Sequence, residues 1–140
     1  MKRHTIRFVA ASSFLVLLAA VTAHAGSSTR TETDIPFEFT VGGKTLPAGA
    51  YAVTEEMHGV LRIRSLDHRS SVVTLTTVVQ GKSPINAAVL VFNRYGDRHF
   101  LTQAGLGSAG GYELWKSHRE LELAHARPQR APEVISIAAR

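Results

Sequence analysis

The chain contains no cysteine among its 140 residues. That absence excludes disulfide bonds, thiolate metal ligands, a cysteine nucleophile and a lipid-modified cysteine after a leader. A large excess of basic charge is also missing once the first seven residues are set aside. They contain three of the 16 lysine and arginine residues, so 16 − 3 = 13 basic residues remain against 11 acidic ones. Because nucleic acids are bound by clustered basic faces, we expect no nucleic-acid partner.

Long apolar runs are scarce, and the longest, Phe8–Val21, follows a basic start and precedes an A-x-A site that ends at Ala25. This layout is typical of a secretory signal peptide, and the apolar run is short for a membrane span. We therefore predict a signal peptide over residues 1–25, a flexible segment over 26–33 and a single domain over 34–140. An uncleaved anchor is the alternative. The predicted location is periplasmic or extracellular, with no membrane span in the mature chain.

Most of the remaining sequence alternates apolar and polar residues with a period of two, which is typical of half-buried strands. The predicted strands lie at residues 35–41, 50–54, 59–66, 71–79, 87–95 and 98–104. Short turns separate them and leave no room for parallel crossovers. The sequence therefore predicts a mainly β fold, an antiparallel meander that forms a small β-barrel or sandwich.

The period changes near the C-terminus. Ser117 and Glu120 form an S-x-x-E capping box, helix-forming residues follow, and Pro128 ends the segment. This pattern predicts one C-terminal α-helix near residues 117–127. The segment Glu133–Ala138 is predicted to be a short strand that closes the sheet, and a loose tail is the alternative.

A glycine-rich segment between the predicted strands and the helix reads G-x-G-x-x-G from Gly105 to Gly110. In a dinucleotide-binding site, these glycines let a strand turn directly into a helix whose N-terminus meets the pyrophosphate. Here the capping box begins the helix ten residues after Gly107, and Gly110 and Gly111 would weaken any earlier helix. We therefore predict a flexible loop and no cofactor.

Three residues of the predicted helix are of metal-ligating type. His118, Glu122 and His125 are spaced i, i+4 and i+7, which places them on one helix face. Imidazole and carboxylate groups are acceptable ligands for zinc or copper. A solvated polar face explains the same residues, so the metal site is the less favoured hypothesis.

No residue set specifies a catalytic site. Asp67, His68 and Ser70 or Ser71 are the residue types of a catalytic triad. Neighbours within one turn rarely point at each other as nucleophile, base and orienting acid must. The turn itself is therefore the better explanation for these residues.

Charged and aromatic residues also cluster at one predicted hairpin. Arg94, Tyr95, Asp97 and Arg98 surround Gly96 there. A turn with solvated charges explains them. The functional hypothesis is a partner-binding tip for an anionic partner or a glycan, which arginine forks and an aromatic ring would suit.

Two motifs of this chain resemble those of a known group of proteins. They are F-x-V-G-G-K-x-L-P-A-G-x-Y from Phe39 to Tyr51 and L-V-F-N-R-Y-G-D-R from Leu90 to Arg98. With them the chain resembles a group of small exported β-rich proteins of unassigned function that are frequent in acidobacteria. The resemblance covers most of residues 34–122. It implies a β fold and an envelope location and nothing about chemistry.

These observations together favour an exported, non-catalytic binding or envelope-associated β-domain whose partner is an envelope protein or a glycan. One alternative is a small metal-dependent or hydrolytic periplasmic enzyme that uses the histidines. Another is a structural subunit that self-associates through its sheet edges. The ligand and the oligomeric state stay open at this level.

Overall fold

The structure is a computed structural model that describes residues 29–79, 87–107 and 110–140. Within these ranges it contains ten strands and one helix. The strands are β1 (Arg30–Ile35), β2 (Phe39–Val41), β3 (Lys44–Leu46), β4 (Gly49–Met57), β5 (Val60–Ser65), β6 (Ser71–Val79), β7 (Ala88–Tyr95), β8 (Arg98–Leu106), β9 (Gly111–Leu114) and β10 (Glu133–Ala138), and helix α1 (His118–Ala126) precedes β10. The predicted mainly β chain with one C-terminal helix is confirmed. The predicted signal peptide lies outside the described residues.

The strands form one open, mixed sheet. Hydrogen-bonded neighbours follow the order β1-β4-β5-β6-β9-β8-β2-β3, and β7 pairs with both β8 and β10. These pairs are antiparallel except β2 with β8, which run parallel at Phe39↔His99 and Thr40↔Phe100. The predicted antiparallel meander is therefore wrong in this region. A period of two identifies the buried face of a strand and carries no information about its neighbour.

The two ends of this arrangement meet between β1 and β10. The Glu32 amide donates to the Arg140 carbonyl at 2.7 Å, and the Arg140 amide donates to the Glu32 carbonyl at 2.9 Å. No strand ladder joins β1 to β10 in the part of the chain described, so the sheet is not closed. The predicted strand at the C-terminus is confirmed. The predicted flexible segment is wrong from Arg30 onward, because Thr31 and Thr33 are buried on β1.

The main core is built from the inward side chains of the strands. Ile35, Phe39 and Val41 are buried, as their alternation predicts. The chain nevertheless leaves the sheet at Pro36, between β1 and β2, where proline has no amide to donate to a ladder. The rings of Phe39 and Tyr51 pack edge to face with centroids 5.1 Å apart. The alternation therefore predicted the burial correctly and placed one strand where there are two.

A second, smaller apolar contact lies beneath α1, on the opposite face of β7 and β8. Phe100 is 2% exposed and lies outside the main core cluster. Its ring packs edge to face with Tyr95, with centroids 5.8 Å apart.

The helix α1 begins after Ser117, whose hydroxyl accepts a hydrogen bond from the Glu120 amide at 3.2 Å. The predicted helix near residues 117–127 is confirmed.

The G-x-G-x-x-G segment joins two antiparallel strands. Gly105 on β8 lies opposite Gly111 on β9, and the Leu106 amide donates to the Gly110 carbonyl at 3.0 Å. The predicted loop is therefore too long, because both Gly105 and Gly111 are buried strand residues.

Candidate functional site

An open groove of about 980 Å³ crosses the outer face and one edge of β6. We call it the β6 groove. The turn between β2 and β3 lies at one side, the turn between β4 and β5 at another, and the segment between β9 and α1 completes it. Its lining residues are 42–43, 58–60, 73–78 and 115–118.

Large apolar side chains are exposed in this groove. The alternation of β6 points Val73 and Leu75 away from the core, and they are 53% and 71% exposed. Trp115 follows β9 directly and is 75% exposed. Because Thr76 pairs with Leu114, Leu75 and Trp115 continue the same register on the same face. Contiguous exposed apolar side chains of this kind mark interaction surfaces.

The backbone of β6 has an unpaired edge in the same place. The Thr76 amide donates to the Gly59 carbonyl at 2.8 Å, so Thr76 directs its backbone groups toward β5. Because this direction alternates along an antiparallel strand, Val73 and Leu75 direct theirs toward the other edge. Further along, that edge is occupied by β9, which ends at Leu114. Because Thr76 faces β5, Thr76↔Leu114 is a non-hydrogen-bonded pair, and the backbone of Leu75 faces Trp115 at the end of β9. Among the residues described, no strand pairs with that edge at Val73.

The turn between β2 and β3 limits one end of the groove. Gly42 has a φ of +56°, and a Cβ there would lie 3.4 Å from Thr74 Oγ1. The positive φ favours glycine at this position. The Lys44 ammonium donates to the Ser71 carbonyl at 3.0 Å. This contact covers the first residue of the β6 edge and leaves Val73 and Leu75 accessible.

The groove lining carries basic side chains and no carboxylate. Lys116, His58 and His118 belong to the lining, and no aspartate or glutamate does. Lys116 therefore places a positive charge at the border of the apolar surface.

The residues of the predicted partner-binding tip lie together at the turn between β7 and β8, away from the β6 groove lining. Arg94 Nη1 lies 3.3 Å from Glu133 Oε2, and Arg94 Nε donates to the Gly96 carbonyl at 2.7 Å. Asp97 and Arg98 lie at the same turn and line neighbouring clefts. Their role in binding stays a prediction.

The predicted metal ligands lie on the exposed surface of α1. His118, Glu122 and His125 are all solvent-exposed. Among the described residues, no group of three histidine, aspartate or glutamate side chains is placed to hold a metal ion. The metal hypothesis stays a prediction that this geometry does not strengthen. His118 instead contributes to the lining of the β6 groove.

Glu120 is a buried carboxyl between α1 and β7, and it is only 2% exposed. Asn93 Nδ2 donates to its Oε1 at 3.2 Å, and Tyr95 also hydrogen-bonds to it. Burial raises the pKa of Glu120, while the Asn93 hydrogen bond and the Lys116 charge act in the opposite direction. Burial and the nearby Glu120 carboxyl raise the pKa of Tyr95. These contacts attach the helix to the sheet and lie outside the groove.

Asp67 organises the turn between β5 and β6. The Ser65 hydroxyl donates to Asp67 Oδ1 at 2.6 Å, and the Arg69 amide donates to the same oxygen at 3.0 Å. The Ser65 hydrogen bond is the main cause of the lowered pKa of Asp67. His68 adopts a φ of +62° in this turn. The carboxylate is thus engaged by the turn itself, as the turn interpretation predicted.

Comparison with known protein families, curated proteins and solved structures found no match to this chain. In the described ranges, the helix is too short and too polar to cross a lipid bilayer.

Two features of the sequence indicate the β6 groove, and the alternation argument did not consider them. The segment S-V-V-T-L-T-T-V-V is apolar at positions of both faces, and the single tryptophan directly follows a short strand.

Proposed function

We propose that this protein is an exported, non-catalytic binding domain that holds an extended peptide segment in the β6 groove as an added strand. The observation that carries the proposal is the coincidence of an unpaired strand edge with exposed apolar side chains in one groove. The leader-like pattern of residues 1–25 supports export. The hydrogen bonds between Glu32 and Arg140 favour a small barrel over a sandwich, because they bring the two ends of the sheet together.

The backbone chemistry of the groove selects an extended polypeptide. Val73 offers its amide and carbonyl groups toward the open edge, beside the point where β9 ends. A peptide strand can form hydrogen bonds to these groups with its own amides and carbonyls. A helix cannot, because its backbone groups are already hydrogen-bonded within the helix. A small apolar ligand would bury the same groups without partners, at a cost of about 1–3 kcal/mol for each group.

The side chains determine which peptide fits. Leu75 and Trp115 lie on the outer face of the sheet, and an added strand would direct every second side chain to that face. Removing a large apolar side chain from water contributes about 1.5–3 kcal/mol. A peptide with apolar residues at alternate positions would therefore gain most of its affinity from this face.

The charge at the border of the β6 groove would set the direction in which the peptide binds. Lys116, His58 and His118 border the groove without an acidic neighbour in the lining. An acidic residue or a terminal carboxylate at one end of the peptide would complement them. The proposed partner is therefore an extended segment of alternating apolar residues with an acidic end.

The single tryptophan of the chain provides the measurement, because Trp115 is exposed in the groove. The probe is a synthetic peptide of alternating valine and threonine that ends in two aspartates. We expect a saturable blue shift of the Trp115 emission as the ring leaves water. The matched ligand is the same peptide N-methylated at alternate amides, which keeps the side chains and removes the strand donors. It should not bind if strand addition is correct.

Protein variants distinguish peptide binding in the β6 groove from non-specific binding to other apolar surfaces. Leu75→Thr introduces a β-branched residue that suits a strand and removes most of the apolar contact, so we expect weaker peptide binding. Val134→Thr makes a similar change at an exposed position on β10 and should leave binding unchanged. Equal binding of the methylated and unmethylated peptides would contradict strand addition. A blue shift that depends on protein concentration without peptide would favour the self-association alternative.

A further inference from the structure

A second cleft, of about 240 Å³, lies between the turn that joins β7 to β8 and the segment that follows α1. We call it the arginine cleft, because its lining includes Arg94, Arg127 and Arg130 together with Tyr95 and Glu133. We propose that the arginine cleft binds a phosphate monoester. The cleft shares no lining residue with the β6 groove, so this site is independent of the proposed peptide binding.

Local sequence brings two of the arginines together. The Arg130 amide donates to the Arg127 carbonyl at 3.1 Å, which closes a turn over Arg127-Pro128-Gln129-Arg130. Proline at the second position is favoured because its fixed φ suits such a turn. The first and fourth residues of a β-turn have Cα atoms within about 7 Å of each other. The turn therefore presents two guanidinium groups from one wall of the cleft.

The third arginine is held on the facing wall. Arg94 donates to the Gly96 carbonyl and lies 3.3 Å from Glu133, so two contacts fix its side chain. Arg127 reaches toward the same turn, because a Cβ on Gly96 would lie 4.0 Å from Arg127 Nη1. The positive φ of Gly96, +70°, suits glycine at this position. The two walls thus approach each other across the cleft.

The charges of the cleft do not cancel. Glu133 pairs with Arg94, and in the described part of the chain neither Arg127 nor Arg130 forms an ion pair within 4.0 Å. Three guanidinium groups against one carboxylate leave a formal net charge of 3 − 1 = +2 in the lining. A bound dianion would neutralise that charge.

Size and geometry define the ligand class. The volume is below the roughly 300–1,000 Å³ of sites for drug-sized ligands, so a small anionic group fits and a dinucleotide does not. Guanidinium groups bind tetrahedral oxyanions through paired, charge-assisted hydrogen bonds. A phosphate monoester carries a charge of about −1.5 to −2 at pH 7, which matches the lining. The rest of its molecule would extend into solvent through the open side of the cleft.

The experiment is calorimetric titration of the intact chain with glucose 6-phosphate at fixed ionic strength, with glucose as the ligand control. The test variant is the double substitution Arg127→Gln with Arg130→Gln. The matched control is Arg64→Gln with Arg69→Gln, which removes the same charge from exposed arginines outside the cleft. We expect the test variant to weaken binding about tenfold or more, since two charge-assisted contacts are lost, and the control to change it by less than about twofold.

A third variant, Arg127→Lys with Arg130→Lys, keeps the charge and removes the fork geometry, so its binding should be intermediate. Vesicles of phosphatidylcholine with phosphatidic acid present the same phosphomonoester on a membrane. Binding to either source that depends on the two arginines supports the site and identifies the source. Equal weakening in the test and control variants would show that net charge alone is responsible. That result, or the absence of saturable binding to both sources, would overturn the proposal.

Discussion

Glu120 illustrates how a residue in a sequence motif can have a different task in the folded protein. In a capping box, the glutamate side chain returns to the first turn of its own helix. Here the Ser117 half of the motif is present, since its hydroxyl accepts from the Glu120 amide. The carboxyl of Glu120 instead contacts Asn93 and Tyr95 on β7. The motif therefore predicts the start of the helix correctly and does not reveal that its glutamate fastens the helix to the sheet.

The raised pKa of Glu120 predicts a pH dependence of stability. A carboxyl whose pKa is higher in the folded state binds its proton more tightly there. Its contribution to stability is therefore full below the unfolded-state pKa, near 4.5, and is lost as the pH rises through the folded-state value. In Glu120→Gln, which keeps an acceptor for Asn93, this loss should be absent. Urea unfolding at pH 4 and pH 7 measures the effect in both proteins.

The expected result is that the wild-type protein becomes less stable relative to Glu120→Gln as the pH rises. Glu122→Gln serves as the control, because Glu122 is an exposed carboxyl on the same helix. Its difference from wild type should change little over the same pH range. A wild-type protein that gained stability relative to Glu120→Gln between pH 4 and pH 7 would contradict the raised pKa.

At the scale of elements, α1 is short and depends on its ends. A helix of nine residues is marginal by itself in water, so its cap and its contacts with β7 and β8 determine whether it forms. Ser117 provides the cap and lies beside the β6 groove, whose lining includes it. The start of the helix therefore also positions one side of the proposed peptide site.

Removal of the cap should have a measurable cost. We expect Ser117→Ala to lower the free energy of unfolding by about 1 kcal/mol, because the Glu120 amide loses its acceptor. Ser117→Asp keeps an acceptor at the same position and should retain most of the stability. Chemical denaturation of the three proteins measures the difference. Equal losses in the alanine and aspartate variants would show that the hydroxyl does not act as a cap.

The strand β6 shows what alternation can and cannot predict about an element. Thr74 and Thr76 face inward, while Val73 and Leu75 are apolar and face outward. Alternation therefore does not identify the buried face of this strand. Sequence alone does not distinguish a strand buried on both faces from one with an exposed apolar face. The distinction depends on what packs against the outer face.

At the scale of the whole molecule, the join between β1 and the C-terminal residues holds the two ends of the sheet together. Glu32 exchanges two backbone hydrogen bonds with Arg140, and Thr33 Oγ1 donates to the Ala138 carbonyl at 3.1 Å. These contacts link β1 and β10, the first and last strands of the described residues. Thr33 and Ala138 lie 105 residues apart in the chain, so the join is a long-range contact.

Proline substitution tests this join. Glu32→Pro removes the amide that donates to Arg140, and we expect a loss of about 1–2 kcal/mol beyond that of a matched proline substitution. The match is Asp34→Pro, because Asp34 is exposed on the same strand and its backbone groups face the same edge two residues away. Chemical denaturation compares the two variants. If both lose the same stability, the join contributes nothing beyond the strain of proline.

Features that depend on neighbouring residues could be predicted from the sequence. Alternation predicted the buried faces around Phe39 and Val41, and the cap at Ser117 predicted the helix start, because each depends on residues close in the chain. Three features could not be predicted in this way: the parallel pairing of β2 with β8, the strand β9 and the two clefts. Which strand lies beside another depends on the packing of distant segments, and no local pattern contains that information. The β6 groove exists because β9 pairs only with residues 76–79 of β6 and leaves the start of that strand uncovered. The arginine cleft exists because the fold brings Arg94 and Arg127, which are 33 residues apart in the chain, to the same cleft.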